Sequence, residues 1–167
     1  MKKLKIGEKD ATGSTIIPNC GIIYNNNLER LELGANVDSL DEYAINDLEN
    51  LKVLICWAHT PPKVNRYSSF SPEPNRLNAI LYVRRASLEA YRTARQWKDF
   101  KTILAIEDVG DVNGDSAVSI ADVSALIDCL LDGSTTTLLA DVNLDGDISI
   151  ADVSALIDFL LDGELIP

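Results

Sequence analysis

Two stretches of the chain, 30 residues apart, are near copies: Asp111-Val-Asn-Gly-Asp-Ser-Ala-Val-Ser-Ile-Ala-Asp122 and Asp141-Val-Asn-Leu-Asp-Gly-Asp-Ile-Ser-Ile-Ala-Asp152. Each is followed by Val-Ser-Ala-Leu-Ile-Asp-x-Leu-Leu-Asp-Gly. Oxygen-bearing side chains recur at loop positions 1, 3, 5, 9 and 12. A hard cation such as calcium takes six to eight oxygen ligands from a loop that curls around it, so this spacing predicts a doubled calcium site holding two ions.

The second loop supplies Asp141, Asn143, Asp145 and Asp152 as side-chain ligands, the carbonyl of Asp147, and Ser149 directly or through water. Gly146 allows its sharp turn at position 6. The first loop offers Asp111, Asn113, Asp115, Ser119 and Asp122, with the carbonyl of Ala117, but it has Ser116 where glycine is usual. Positive φ is unfavourable for a residue with a Cβ, so weaker or slower calcium binding is expected at the first loop. No helix is expected before either loop, and position 12 is Asp where an EF-hand has Glu. A helix is expected after each. Ile120, Val123, Leu126, Ile127, Leu130 and Leu131 form one apolar stripe ending at Gly133, and Ile150, Val153, Leu156, Ile157, Leu160 and Leu161 repeat it to Gly163, so the two units are expected to bury these stripes against each other.

Charge divides the chain at about residue 108. Residues 108–167 hold twelve Asp and one Glu with no Lys or Arg, so the net charge of −11 is −13 there and +2 in residues 1–107. Such a tail would be repelled by phosphate backbones, which argues against a nucleic-acid partner. Acidic runs are also found in disordered segments, but Ile, Val and Leu recur throughout this one, as in a small core that folds once cations neutralise its carboxylates. No apolar run reaches the roughly 20 residues of a membrane span. After Met1-Lys-Lys-Leu-Lys, Ile6-Gly-Glu-Lys-Asp-Ala stands where a signal peptide would have its apolar region. Cys20, Cys56 and Cys129 form neither a disulfide framework nor a metal spacing, and read as packing residues or free thiols. His59 has no nucleophile motif around it, so no enzyme activity is expected.

Residues 1–107 also repeat. Met1-Lys-Lys-Leu4-Lys-Ile6-Gly, Leu28-Glu-Arg-Leu31-Glu-Leu33-Gly, Leu51-Lys-Val-Leu54-Ile-Cys56-Trp and Leu77-Asn-Ala-Ile80-Leu-Tyr82-Val stack at spacings of 27, 23 and 26. The alternation predicts strands, and the period suits a leucine-rich solenoid in which Val37, Leu40, Ala44, Ile45, Leu48 and Leu51 add inward positions. The alternative is an ordinary α+β domain with coincidental spacing. Ser87 is expected to N-cap a short helix carrying Leu88, Tyr91 and Ala94 on one side, with Trp97 and Phe100 covering the end of the core. Pro61-Pro62 and residues 65–75, with Pro72 and Pro74, read as loop.

Leu31-Glu-Leu-Gly, Val37-Asp-Ser-Leu-Asp-Glu-Tyr-Ala, Cys56-x-Ala-x-Thr-Pro-Pro62, Leu81-Tyr-Val, Ser87-Leu-Glu-Ala-Tyr91 and Trp97-Lys-Asp-Phe100 resemble the last repeats and end-cap of BspA-like leucine-rich repeat proteins of bacterial surfaces. Departures are Ile45 where that family has Phe and Arg84 where it has Pro. The segment before Leu28 matches poorly, as in a chain that begins within a longer solenoid. The duplicated loop-helix units resemble the dockerin module, whose mark is Asp-Val-Asn-x-Asp with Asp at position 12. The combined expectation is an α+β chain: a leucine-rich-repeat-like β-solenoid fragment with a helical end-cap over residues 1–107, then a small all-α dockerin-like module over 108–167.

The dockerin resemblance implies docking onto a cohesin domain of a scaffoldin or cell-surface protein, in an extracellular, cellulosome-like bacterial assembly. Carried over, the partner face is Ile120, Ala121, Ser124, Ala125, Ile127, Asp128 and Asp132, with Ile150, Ala151, Ser154, Ala155, Ile157, Asp158 and Asp162 in the second repeat. The family often has Ser-Thr or Lys-Arg at places where this chain has Ala121, Ala151 and acids. Ala121, Ala125, Asp128 and Asp132 form a helical stripe that Ala151, Ala155, Asp158 and Asp162 copy, suiting a flat partner surface bearing Lys or Arg, or simply a solvated face. Identical stripes imply two binding orientations. The alternative function is a calcium module that only stabilises the chain or self-associates, with no cohesin partner.

Overall fold

The computed structural model describes residues 2–65, 67–71, 78–134 and 137–163. The chain falls into two compact units, Met1–Ile106 and Glu107–Pro167.

The first unit is built from short strands that recur in threes. β1 (Lys3–Ile6), β2 (Thr15–Ile17) and β3 (Ile22–Ile23) are followed by β4 (Arg30–Leu33), β5 (Val37–Leu40) and β6 (Ile45–Asn46), then by β7 (Val53–Cys56), β8 (Lys63–Val64) and β9 (Phe70–Ser71). β10 (Ile80–Val83) and β11 (Thr102–Ala105) complete the set. Three sheets result, ordered β1-β4-β7-β10-β11, β2-β5-β8 and β3-β6-β9, and every pairing is parallel. A parallel neighbour can be reached only by a crossover. From β1 to β10 each crossover is the visit to the other two sheets, and from β10 to β11 it is a helical segment. In the long sheet Leu4, Leu31, Leu54, Leu81 and Ile103 stand in register, as do Ile6, Leu33, Cys56, Val83 and Ala105. These two rows line the core with Leu28, Val37, Leu40, Ile45 and Leu48, all 1 % exposed or less.

This overturns the expected class. Among the described residues parallel sheets dominate and three α-helices accompany them, which is an α/β arrangement instead of an α+β solenoid joined to an all-α module. A leucine-rich repeat carries one strand and a helix or 3-10 turn per unit, whereas each of the first three windings here contributes strands to three sheets. The leucine-rich-repeat label is therefore dropped. The register also differs at one place. Stacking by sequence set Ile80 and Tyr82 beside Leu54 and Cys56, but the pairing is Leu81 with Leu54 and Val83 with Cys56. A slip of one residue exchanges the two faces of a strand, so Tyr82 joins Ile55 on the opposite face. Leu77, Pro72 and Pro74 lie outside the described residues.

The end of this unit closes on rings. α1 (Leu88–Thr93) sets buried Tyr91 edge-on to Trp97 at 5.1 Å, and Phe70 meets Trp97 at 5.0 Å and Phe100 at 5.3 Å. Each buried polar tip has an acceptor: Trp97 Nε1 donates to the Pro62 carbonyl at 2.9 Å and Tyr91 OH to the Ala58 carbonyl at 3.0 Å. Ser87 makes no side-chain cap on α1, because its hydroxyl donates to the His59 carbonyl at 2.8 Å. Gln96 stands at φ 64, fixed by the Ser69 N–H that its amide oxygen accepts and by bonds from its amide nitrogen to the Asn65 and Tyr67 carbonyls. Arg84 donates to the Trp57 carbonyl at 3.0 Å and lies over the Trp57 ring, roles a proline could not fill.

The second unit has two helices, α2 (Ile120–Asp132) and α3 (Ile150–Asp162), packed against each other, each ended by a left-handed glycine, Gly133 or Gly163. The loops are preceded by 3-10 turns, Ile106–Asp108 and Leu138–Ala140.

Candidate metal loops and docking face

In each loop the acid at position 1 folds the turn around itself. Asp111 accepts the N–H groups of Gly114 at 2.9 Å and Ser116 at 3.0 Å, and Asp141 accepts those of Asp145 at 3.0 Å and Gly146 at 2.9 Å. Asn113 and Asn143 each accept from the residue two places on at 2.8 Å, and Asp115 and Asp145 do the same at 2.9 and 3.0 Å. Such self-bonded Asx turns are why Asp and Asn suit tight loops. Asp122 reaches back across the loop to the N–H groups of Val112 at 2.8 Å, Asn113 at 3.0 Å and Ser119 at 2.8 Å. Asp152 accepts from Asn143 at 3.1 Å and Ser149 at 2.8 Å.

Sequence spacing missed a second use of these residues. Ser119 and Ser149 are N-caps, accepting from Ala121 and Ala151 at 3.1 Å, and Asp122 and Asp152 complete capping boxes from the third helical position. The signal was available as Ser-x-x-Asp ahead of an apolar run. Ser116 does adopt the strained conformation, φ 70, matching Gly146 at φ 89. Leu144, however, lies at φ 53 where the first loop has Gly114 at φ 77. Each loop therefore holds one non-glycine residue in the left-handed region, and the second is less ideal than its sequence suggested.

Electrostatics distinguish the loops. Burial pushes Asp141 up to about 6; the N–H groups of Gly146 and Asp145 oppose this, and the charges of Asp152 and Asp145 add to it. Asp122 is lowered: burial alone would raise it, but the N–H donors of Asn113, Ser119 and Val112 outweigh that. Like charges gathered on a buried carboxylate are relieved by a divalent cation, and the donors are all oxygen, so the residues present fit calcium. Among the described residues no group of three or more His, Cys, Asp or Glu is placed to hold a metal ion. A bound ion would therefore have to draw on Asn, Ser and carbonyl oxygens as well.

The helices expose more apolar surface than expected. Val123, Leu126, Val153 and Leu156 are buried, but Ile120, Leu131, Ile150 and Leu161 are 71, 79, 72 and 77 % exposed. The anticipated stripe is too wide for one contact: Ile120, Ile127 and Leu131 follow a second line, at i, i+7 and i+11, beside the buried one. On that open side also stand Ala121, Ser124, Asp128 and Asp132, with Ala125 half-buried. Ala151, Ser154, Ile157, Asp158 and Asp162 repeat the arrangement on α3, again with Ala155 half-buried.

Two acidic loops, each opening a helix that shares its last carboxylate, define a duplicated loop-helix module. Residues 109–161 match the family model of the dockerin type I domain. No curated protein matches the chain. Dockerin domains are non-catalytic, bind calcium and dock onto cohesin domains, so this segment is a calcium-dependent protein-interaction module. Among the described residues no helix is long and apolar enough to cross a membrane.

Proposed function

We propose that residues 108–167 attach this chain, through a cohesin of a scaffoldin or cell-surface protein, to an extracellular bacterial assembly of the cellulosome type, where residues 1–107 are displayed as a separate domain. Two calcium ions are held, one by Asp111, Asn113, Asp115, Ser119, Asp122 and the Ala117 carbonyl, the other by Asp141, Asn143, Asp145, Ser149, Asp152 and the Asp147 carbonyl. Bound calcium supplies the positive charge that lets each loop's carboxylates face one another. The chain's own residues then fix the helix starts through Ser119, Asp122, Ser149 and Asp152.

The observation that carries this reading is the solvent exposure of Ile120, Leu131, Ile150 and Leu161 on the helices of a dockerin module. Open apolar side chains flanked by acids suit a partner surface with an apolar centre and a basic rim. Capture of the full chain by immobilised cohesins, with and without chelator, tests it. Calcium-dependent capture is expected; capture that survives chelation, or none by any cohesin, would favour a module that only stabilises or self-associates.

A further inference from the structure

We propose that the first unit carries a second, unrelated binding site, a basic pocket beside β11 that takes a tetrahedral oxyanion, as the free ion or as the sulfate or phosphate ester of a small molecule. A cavity of about 320 Å³ is lined by Arg92, Lys98, Phe100, Lys101, Thr102 and Ile103. Half of these residues are cations and none is an acid. Three elements bring them together: Arg92 ends α1, Lys98 lies in the 3-10 turn Trp97–Asp99, and Thr102 and Ile103 begin the last strand of the long sheet.

The charge at this place is poorly compensated. Arg92 pairs with Glu89 at 2.8 Å, which orients the guanidinium, but Lys98 and Lys101 have no ion pair among the described residues. Two ammonium groups without an ion pair, beside the guanidinium that Glu89 already holds, leave the concavity net positive. An oxyanion neutralises that charge and accepts hydrogen bonds from Arg92, from the two ammonium groups and from the Thr102 hydroxyl. One wall belongs to the core: Phe100 is 5 % exposed and packs edge-on against Phe70, while Arg92, Lys98 and Lys101 form an open, exposed rim. Its volume falls at the low end of the roughly 300–1,000 Å³ of small-molecule sites, leaving room for more than a bare ion.

The test is an amide-resolved NMR titration of the calcium-loaded full chain at constant ionic strength with sodium sulfate, glucose 6-sulfate or glucose. Sulfate is the probe because it tolerates millimolar calcium. Saturable shifts at Arg92, Lys98, Lys101 and Thr102 are expected with at least one of the two anions and none with glucose; which anion binds more tightly identifies the free ion or the ester as the ligand. The double variant Lys98→Gln, Lys101→Gln alters two exposed side chains and should weaken binding about tenfold or more, while Lys98→Arg, Lys101→Arg should keep it. Absence of saturable shifts, equal binding by the glutamine variant, or shifts spread over remote cations such as Lys2 and Lys3 would overturn the proposal.

Discussion

The two units reach order by opposite means. In the first, leucines from successive windings stack in rows, and the few buried charges are matched: Glu32, 7 % exposed, accepts from Trp57 Nε1 at 2.9 Å and pairs with Arg30 at 3.3 Å. The second has acids and no bases, and its loops are closed by carboxylates that accept backbone N–H groups. Apolar burial stabilises whatever the ionic conditions, whereas gathered carboxylates destabilise until a cation joins them. The first unit is thus expected to fold by area alone, and the second to need its charge neutralised as well.

Chelation is the sharpest way to break this comparison. Removing calcium should abolish the helical circular dichroism and amide protection of α2 and α3 and leave the protection of the parallel sheets intact; helices that persist would sink the distinction. Next in size, Leu54→Ala should destabilise the first unit by about 2–5 kcal/mol through the cavity it leaves, with calcium affinity unchanged. Denaturant unfolding followed by tryptophan fluorescence reads this directly, since Trp57 and Trp97 both lie in that unit.

Alkali should also act on the first unit alone. Burial pushes the Cys56 thiol up from 9.0 to about 11, against the pull of its hydrogen bonds with Tyr91 and the Ala58 backbone. The folded thiol keeps its proton where the unfolded one has lost it, so this stability is complete below pH 9 and falls between pH 9 and 11, by up to about 1.4 kcal/mol per pH unit. Burial raises Tyr91 in the same direction. Thiol labelling should accordingly modify exposed Cys20 first and Cys56 only on unfolding. The smallest effect lies within the acidic unit: Ser116→Gly removes left-handed strain of about 1 kcal/mol and should tighten the first loop about fivefold in a calcium titration. Leu144→Gly should gain less, because it also gives up a fully buried side chain.

The acidic repeats were legible because ligand spacing and helix periodicity are both local. Their limit came at Leu131 and Leu161, where an apolar residue on a helix can face either a core or a partner and periodicity alone favours the core. In the first unit the strands around Leu4, Leu31 and Leu54 could be read from alternation. Strands of two or three residues, such as Ile22–Ile23 and Lys63–Val64, are too short to alternate, so two of the three sheets, and with them the class, were missed. β11 was hidden by the aromatic cap that precedes it. The basic pocket had no motif to announce it, since Arg92, Lys98 and Thr102 meet only through the packing of α1 against the sheet edge.

Asp122 and Asp152 each close a turn with one carboxylate oxygen, Oδ1, and begin a helix with the other, Oδ2. If they also hold the ions proposed above, any change that slackens that grip would fray the first residues of the proposed docking face, beginning with Ile120 and Ala121 or Ile150 and Ala151. On the proposed function, natural variation at these two positions would then be unable to trade ion sensitivity against attachment strength independently, and a protein held this way would be released wherever free calcium runs short.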